Sequence, residues 1–421
     1  MQPAGFSAGC FDDFHAMEAS SLHSRLRLFR QLRTHFKILL RFSGGERQKP
    51  DILLALAVNN YYNNTVLNES RFRRKRKNKK QGAVCVGKLV YMVKRIFGLN
   101  YKSLFEMVSH LHKKTGKSRI WLFFDMIHCG LKYGCGYTDY RLFEFYRLNA
   151  AQRATFLTRA KNNQIVKTYN QKDYIHILEN KVDFNQYFNK YLGRKWIDMR
   201  SADRRQFAEF AEGLEFIMAK PLDLTGGHGI EKLKTGDFAS TDEMYDYLKE
   251  HNFGLCEQYI VQHHDMAAFN PYSVNTFRIC TILTNGEPHV LYFYVRMGNG
   301  EKVVDNLHSG GLTCPVDWET GKIKYKGYAL FDKYYDVHPN TGHPLVGEQL
   351  PFWKEAIEMC FEAAKSLPQV AYVGWDVGIT ENGPVLIEGN PFPGHDLLQM
   401  PPHAPDGIGV LPHFRKYIPN L

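Results

Sequence analysis

The sequence predicts an α+β protein with a largely antiparallel sheet, preceded by a basic, mainly helical N-terminal region. Three observations predict it. From about residue 214, short β-rich runs recur between Gly, Pro and Asn, as strands joined by tight turns should. Helical segments intervene among them without the regular strand–helix alternation of a parallel sheet. Ahead of residue 130, apolar positions recur at three- and four-residue spacing with basic residues between them.

The bulk properties bound the answer. A chain of 421 residues exceeds the usual length of one domain, so two or three packed units are expected. Hydrophobic residues make up 44% and charged residues 23%, and 29 Phe, 24 Tyr and 5 Trp supply a core, which excludes disorder throughout the chain. The net charge of +11 is concentrated: residues 1–80 carry 16 Lys/Arg against 6 Asp/Glu. An anionic partner is therefore suggested for the N-terminal fifth alone. The eight cysteines (Cys10, Cys85, Cys129, Cys135, Cys256, Cys280, Cys314, Cys360) form no C-x-x-C pair and have no zinc-ligand spacing. Asp12 and Asp13 interrupt any signal-like stretch, and the longest apolar runs, such as Ile52 to Val58, fall far short of the roughly 20 residues of a membrane helix. A cytoplasmic location is expected, with a membrane-peripheral one as the alternative.

Along the chain, residues 22–42 form a basic amphipathic helix, read either as a docked surface helix or as a peripheral contact with anionic membrane. The charge block 71–80 reads as a solvated linker. With only Phe72 interleaved, it argues against nucleic-acid binding. Residues 83–127 look helical again. Gly130, Gly134 and Gly136 mark a turn, since neither G-x-G-x-x-G nor Gly-Lys-Ser/Thr is present, and a helix is expected over 140–160. Strands are expected in EFIMAKP, GLCEQYIVQ, TFRICTILT, HVLYFYVRM, YVGWDVGIT and PVLIEGN, with helices at 241–250 and 352–366. Unit boundaries are expected near residues 125, 213 and 262.

The most informative stretch is VGWDVGITENGPVLIEGNPFPG. Asn382-Gly383 is expected at the centre of a hairpin turn. Residues opposed across a hairpin have a nearly constant index sum, which puts Asp376 and Glu388 opposite one another or one step apart. Alternation places Asn390 on the same face as Glu388. Two carboxylates and an amide on one sheet surface repel or lack partners unless a cation fills the gap. Hard oxygen donors without thiolate favour Mg²⁺ or Mn²⁺ over zinc. The alternative is ordinary strand decoration. Gly374 and Gly389, flanking the acids, are read as leaving room for a ligand.

Upstream, FIMAKPLDLTGGHGI ends a strand in Lys220-Pro221 before Gly226, Gly227 and Gly229. Glycine N–H groups and a nearby ammonium suit a phosphate, in a flap rather than a P-loop. Glu257, Gln258, Tyr259 and Ile260 form a strand whose end could face an adenine edge. Arg278 and Arg296 lie inside apolar strands and need partners, either a ligand phosphate or carboxylate, which is the favoured reading, or an internal Asp.

The order Lys-Pro, Gly-Gly-x-Gly, Glu-x-Tyr-Ile, strand arginines, Asp and Glu-x-Asn resembles the ATP-grasp enzymes. Asn275-Thr-Phe-Arg278, Val304-Asp-Asn-Leu-His-Ser-Gly-Gly311, Gly374-Trp-Asp376 and Glu388-Gly-Asn390 make it similar to the sugar-transfer-associated ATP-grasp family, over about residues 130–400. The resemblance implies two α+β subdomains clasping ATP. Residues 126–213 would be the N-terminal part of the ATP-grasp unit, 214–262 its lid and 263–421 its catalytic core. It also implies roles: Lys181 and Lys220 on nucleotide, the 226–229 loop over the triphosphate, Glu257 to Ile260 as adenine hinge, Asp265 on ribose, and Asp376, Glu388 and Asn390 on two Mg²⁺ ions, with Mn²⁺ as an accepted substitute. Gly389 departs from the larger residue in many relatives. Asn275, His308, Ser309 and Gly310 are candidates for the substrate side, although Ser309 and Gly310 equally suit a plain turn.

The chemistry this implies is attack of a substrate carboxylate, small or glycan-linked, on the γ-phosphate, followed by displacement of phosphate by an amine or similar nucleophile in surface-polysaccharide or sugar-conjugate synthesis. Arg278 and Arg296 would stabilise the transferred group. The rivals are a sugar or polyol kinase on the same ATP site and a nucleotide-gated scaffold without turnover.

Overall fold

The computed structural model describes residues 101–421, apart from 223–228, 302–304, 306, 308–309 and 331–332. The chain divides into two compact units, Met1–Lys94 and Arg95–Leu421, and every described residue lies in the second. The segment 22–42 where a basic helix is expected, the charge block at 71–80, Gly226, Gly227, His308 and Ser309 lie outside the described residues.

A helical segment comes first: α1 (Tyr101–Thr115), α2 (Arg119–Tyr133), α3 (Tyr137–Leu142) and α4 (Ala150–Arg153). Their apolar stripes meet at Leu104, Val108, Leu122, Met126 and Tyr140, and Arg153 reaches back to Asp125 with two bonds of 2.7 and 2.8 Å. Gly134, at φ 68°, ends α2 in the left-handed region, so the glycine stretch is a turn as expected. The helix expected over 140–160 is broken. Glu144 sits at φ 49°, a conformation no helix tolerates, and Lys114 and Arg147 hold its carboxylate at 3.3 and 2.8 Å. Three further helices follow: α5 (Arg159–Tyr169), α6 (Lys172–Glu179) and α7 (Lys181–Tyr187).

The smaller sheet is antiparallel, in the order β1-β4-β2-β3, from β1 (Trp196–Asp198), β2 (Phe216–Lys220), β3 (Glu231–Lys234) and β4 (Leu255–Gln258). Helices α8 (Arg204–Ala211) and α9 (Thr241–Glu250) cover one face, where Phe207, Met244 and Leu248 pack with Ile217 and Ala219. Helix α10 (His264–Phe269) leads to the larger sheet, also antiparallel, in the order β10-β9-β7-β6-β5-β11-β12 with β8 on β7. Its strands are β5 (Thr276–Thr284), β6 (Glu287–Met297), β7 (Leu312–Asp317), β8 (Lys322–Ile323), β9 (Gly327–Ala329), β10 (Lys333–Tyr335), β11 (Tyr372–Thr380) and β12 (Gly383–Asn390).

Helix α11 (Trp353–Ser366) lies behind this sheet. Its small residues Ala356, Cys360, Ala363 and Ala364 pack with Phe277, Ile279, Phe293 and Trp375 in one core. On the other face, the far ends of the strands (Cys280, Ile282, Tyr292, Tyr372) bury against Leu157 and Ile165, and against Leu411 and Phe414 of α12 (Leu411–Phe414). That leaves the near ends of the same face polar.

The turn between β5 and β6 is Asn285-Gly286, with φ 54° and 82°. Two left-handed residues in a two-residue loop match the right-handed twist of the flanking strands. The six described cysteines are buried and unpaired. Burial pushes the thiols of Cys129 and Cys280 up to about 12. Among the described residues, no helix is long and apolar enough to cross a membrane.

Candidate nucleotide and metal site

The hairpin of β11 and β12 carries the predicted acids. Asp376 pairs directly with Glu388, and Gly374 with Asn390. The turn itself differs from expectation. Thr380 pairs with Gly383, so the loop is Glu381-Asn382, and Gly383 follows it at φ 113°. Asn382-Gly383 is therefore not the turn's centre. The half-residue offset is recovered by an irregularity between Asp376 and Val377: Val377 pairs with Leu386, and Ile387 has no opposite number. The bulge restores the register at the acids.

Across β11 and β5, Asp376 faces Arg278, and across β5 and β6, Thr276 faces Arg296. Arg278 grips Asp376 with two bonds, from Nε to Oδ1 and, at 2.8 Å, from Nη2 to Oδ2. Arg296 donates to the same Oδ2 at 2.6 Å and to the Thr276 hydroxyl at 2.9 and 3.0 Å. Thr276 in turn donates to Asp305. Asp376 is thus a partner of both arginines, which is the second of the two readings the sequence allows. Thr276 and Asp305 both lie in segments that carry the family resemblance, 275–278 and 304–311, but neither has a pattern of its own that marks it as a partner of Arg296.

Burial raises the Asp376 carboxyl, but Arg278 and Arg296 outweigh it and hold it down at about 2. The Glu388 carboxyl is pushed up to about 7 by the surrounding protein and by the charge of Asp376, to which it also hydrogen-bonds. Its side chain is 58% exposed, so water screens part of the burial effect and the neighbouring carboxylate is the persistent cause. Asn390 accepts from the Phe392 N–H at 2.8 Å.

This donor set fits a divalent cation. Two carboxylates in mutual contact disfavour each other's ionisation, and added positive charge relieves that. Counting two acceptor directions per oxygen, Oδ1 of Asp376 keeps one after Arg278. Glu388 and the Asn390 carbonyl supply the remaining hard oxygens. The flanking glycines make room for protein instead of ligand. A Cβ on Gly389 would lie 2.8 Å from Leu178 and 3.1 Å from Trp375, and one on Gly374 would lie 3.3 Å from Arg278.

The lysines gather elsewhere. Lys220 closes β2 and bonds Glu257, which is 3% exposed and also takes Arg194 at 2.9 Å and Asn185 at 2.7 Å. Lys181, at the start of α7, donates to the carbonyls of Pro221 and Leu222 at 2.8 and 3.3 Å, so the structure brings the two predicted lysines onto adjoining stretches of chain. A cavity of about 750 Å³ opens nearby, lined by Asn180, Leu222, Gly254 and Lys249 among others, and neither predicted lysine lines it. In the expected hinge, the side chain of Glu257 turns inward, and the N–H groups of Gln258 and Tyr259 are engaged by the carbonyls of Lys195 (2.9 Å) and Phe216 (3.3 Å). Gly229, at φ 70°, is the described end of the glycine loop.

Two predicted residues sit apart. Asn275 is fully buried; its amide donates to Gln262, Met266 and Asn270 and accepts from the Gly298 N–H, so it braces the connector into β5. Asp265 lies beside His263 and His264, which meet Glu381 at the hairpin loop. Among the described residues, His263, His264 and Glu381 are the one His/Cys/Asp/Glu trio close enough to share a metal. Its donors are already engaged: Glu381 takes the backbone N–H and Nδ1 of His264 at 2.9 and 3.0 Å, and His263 Nδ1 accepts from the Asp265 N–H. Gly310, at φ 101°, accepts from Asn299 through its carbonyl at 3.1 Å.

Two antiparallel sheets, one bearing Lys220 with Lys181 on a neighbouring helix and the other the opposed acids, are the arrangement of a nucleotide-clasping enzyme of the ATP-grasp class. The model of the sugar-transfer-associated ATP-grasp family matches residues 160–405, and the chain belongs to that family. Among solved structures, the chain is similar to the D-alanine–D-alanine ligase of Bacillus anthracis (14% identity, 62% of this chain, 74% of that one, TM-score 0.35). It is also similar to the ATP-grasp ligase PsnB complexed with a minimal precursor (13% identity, 64% and 72%, TM-score 0.35). A third is an ADP complex of N5-carboxyaminoimidazole ribonucleotide synthetase (11% identity, 56% and 52%, TM-score 0.35). No curated protein matches the chain.

Proposed function

We propose that the protein is an ATP-dependent, magnesium-requiring ligase that activates a carboxylate as an acylphosphate and passes it to an amine or similar nucleophile, in cell-surface polysaccharide or sugar-conjugate synthesis. The observation that carries this reading is the register of the hairpin, which opposes Asp376 and Glu388 beside two arginines. Magnesium, when bound, would neutralise charge on the β- and γ-phosphates. Asp376, Glu388 and Asn390 would hold it. Once cation charge shares Asp376, the guanidinium groups of Arg278 and Arg296 would be freed in part to meet the transferring phosphoryl group. Lys220 and Lys181, held on adjoining stretches of chain, would meet the remaining phosphates. No side-chain nucleophile is required.

The test is ADP release with ATP, Mg²⁺ and a panel of carboxylates and amines. Wild-type protein is expected to release ADP only when both acceptor classes are present, and Glu388→Gln is expected to abolish release while the unfolding temperature is kept; Asp376→Asn is expected to abolish it too, at a lower unfolding temperature, because it strips Arg278 and Arg296 of their buried partner. A stable phosphorylated sugar or polyol, or no ADP under any mixture, would sink the ligase reading.

A further inference from the structure

Arg194 lies in the loop between α7 and β1, where Gly193 (φ 58°) has no Cβ to strike Val385, 2.5 Å from the position it would occupy. The loop is thereby pressed onto β12. The Arg194 side chain is 2% exposed. One terminal nitrogen donates to Glu257 at 2.9 Å. The other donates to the carbonyl of Leu386 at 2.7 Å, the last paired residue before the bulge that sets Glu388. Glu257 therefore meets two cations, Lys220 and Arg194, in a site closed to water.

That surplus has a consequence. A buried carboxylate stripped of its only cation is strongly destabilising. If Lys220 were the sole partner of Glu257, it could not be shared with a phosphate without stranding that charge. We propose that Arg194 is a positioning residue. It neutralises Glu257 so that Lys220 is released to an incoming phosphate, and it ties this exchange to the strand that carries Glu388. The inference rests on the nucleotide-site reading above and names a residue that reading does not use.

The test is binding of Mg²⁺·AMP-PNP by calorimetry, with thermal unfolding as the fold check. Arg194→Met is expected to weaken binding by about tenfold, because Lys220 is then held on Glu257. Arg194→Lys keeps the charge and should stay within about threefold of wild type, on the same affinity scale. The double variant Arg194→Met/Glu257→Gln should regain most of the loss, since the charge that holds Lys220 is gone. A merely structural role would not give that rescue. Should the Met variant not fold, Arg194→Gln carries the same test. A neutral variant that binds like wild type, a Lys variant as damaged as the Met one, or a double variant no better than the single overturns the inference. Wild type that does not bind AMP-PNP overturns the nucleotide-site reading itself.

Discussion

At the residue scale, two positions give sharp expectations. Gly389 is the close-packed spacer between Glu388 and Asn390, and its missing Cβ is what lets Leu178 and Trp375 close over the strand. Gly389→Ala overpacks that contact and should lower stability by about 1–3 kcal/mol, read by denaturant unfolding. Glu257 gives a pH signature. Burial alone would raise its carboxyl, yet Arg194 and Lys220 hold it well below the ordinary range. A carboxyl depressed in the folded state contributes stability that is full above its unfolded value, about 4.3, and is lost as pH falls below that. The wild type should therefore lose stability faster than Glu257→Gln as pH drops below about 4. Parallel acid profiles would contradict the pairing.

At the scale of elements, the sequence was most legible where pattern and turn chemistry agreed. TFRICTILT and YVGWDVGIT coincide with β5 and β11, and TDEMYDYLKE with α9. Asp376 stands opposite Glu388 as the constant index sum requires, but through a loop at Glu381-Asn382 and a bulge that compensates for it. A bulge costs one residue of register and leaves no mark in composition, so it could not be read. The arginines show a different limit. An Arg in an apolar strand signals an anion nearby, but which anion depends on the cross-strand partner, and that is fixed only once β5 lies between β6 and β11. Arg194 and the short strands β1 and β7 to β10 carried no periodic signal. The β5–β6 turn offers an element-level test. Gly286, at φ 82°, replaced by Val should cost about 1–2 kcal/mol through left-handed strain. Because the turn closes the strand ends remote from Arg278 and Arg296, nucleotide affinity should be unchanged.

At the scale of the whole molecule, a ligand that spans two sheets should stabilise both. Mg²⁺·ATP at about one hundred times its dissociation constant should add about 2.7 kcal/mol to unfolding, measured as a rise in melting temperature that scales with the logarithm of nucleotide concentration. The buried thiols allow that stabilisation to be followed sheet by sheet. Cys256 lies in the core of the smaller sheet, and Cys280, Cys314 and Cys360 lie in the two cores of the larger one. Burial keeps these thiols protonated and unreactive, so an alkylating reagent should modify each only during a transient opening. Mass spectrometry of pulse-labelled protein would then time the breathing of the smaller sheet separately from that of the acid-bearing sheet, and nucleotide should slow Cys256 most.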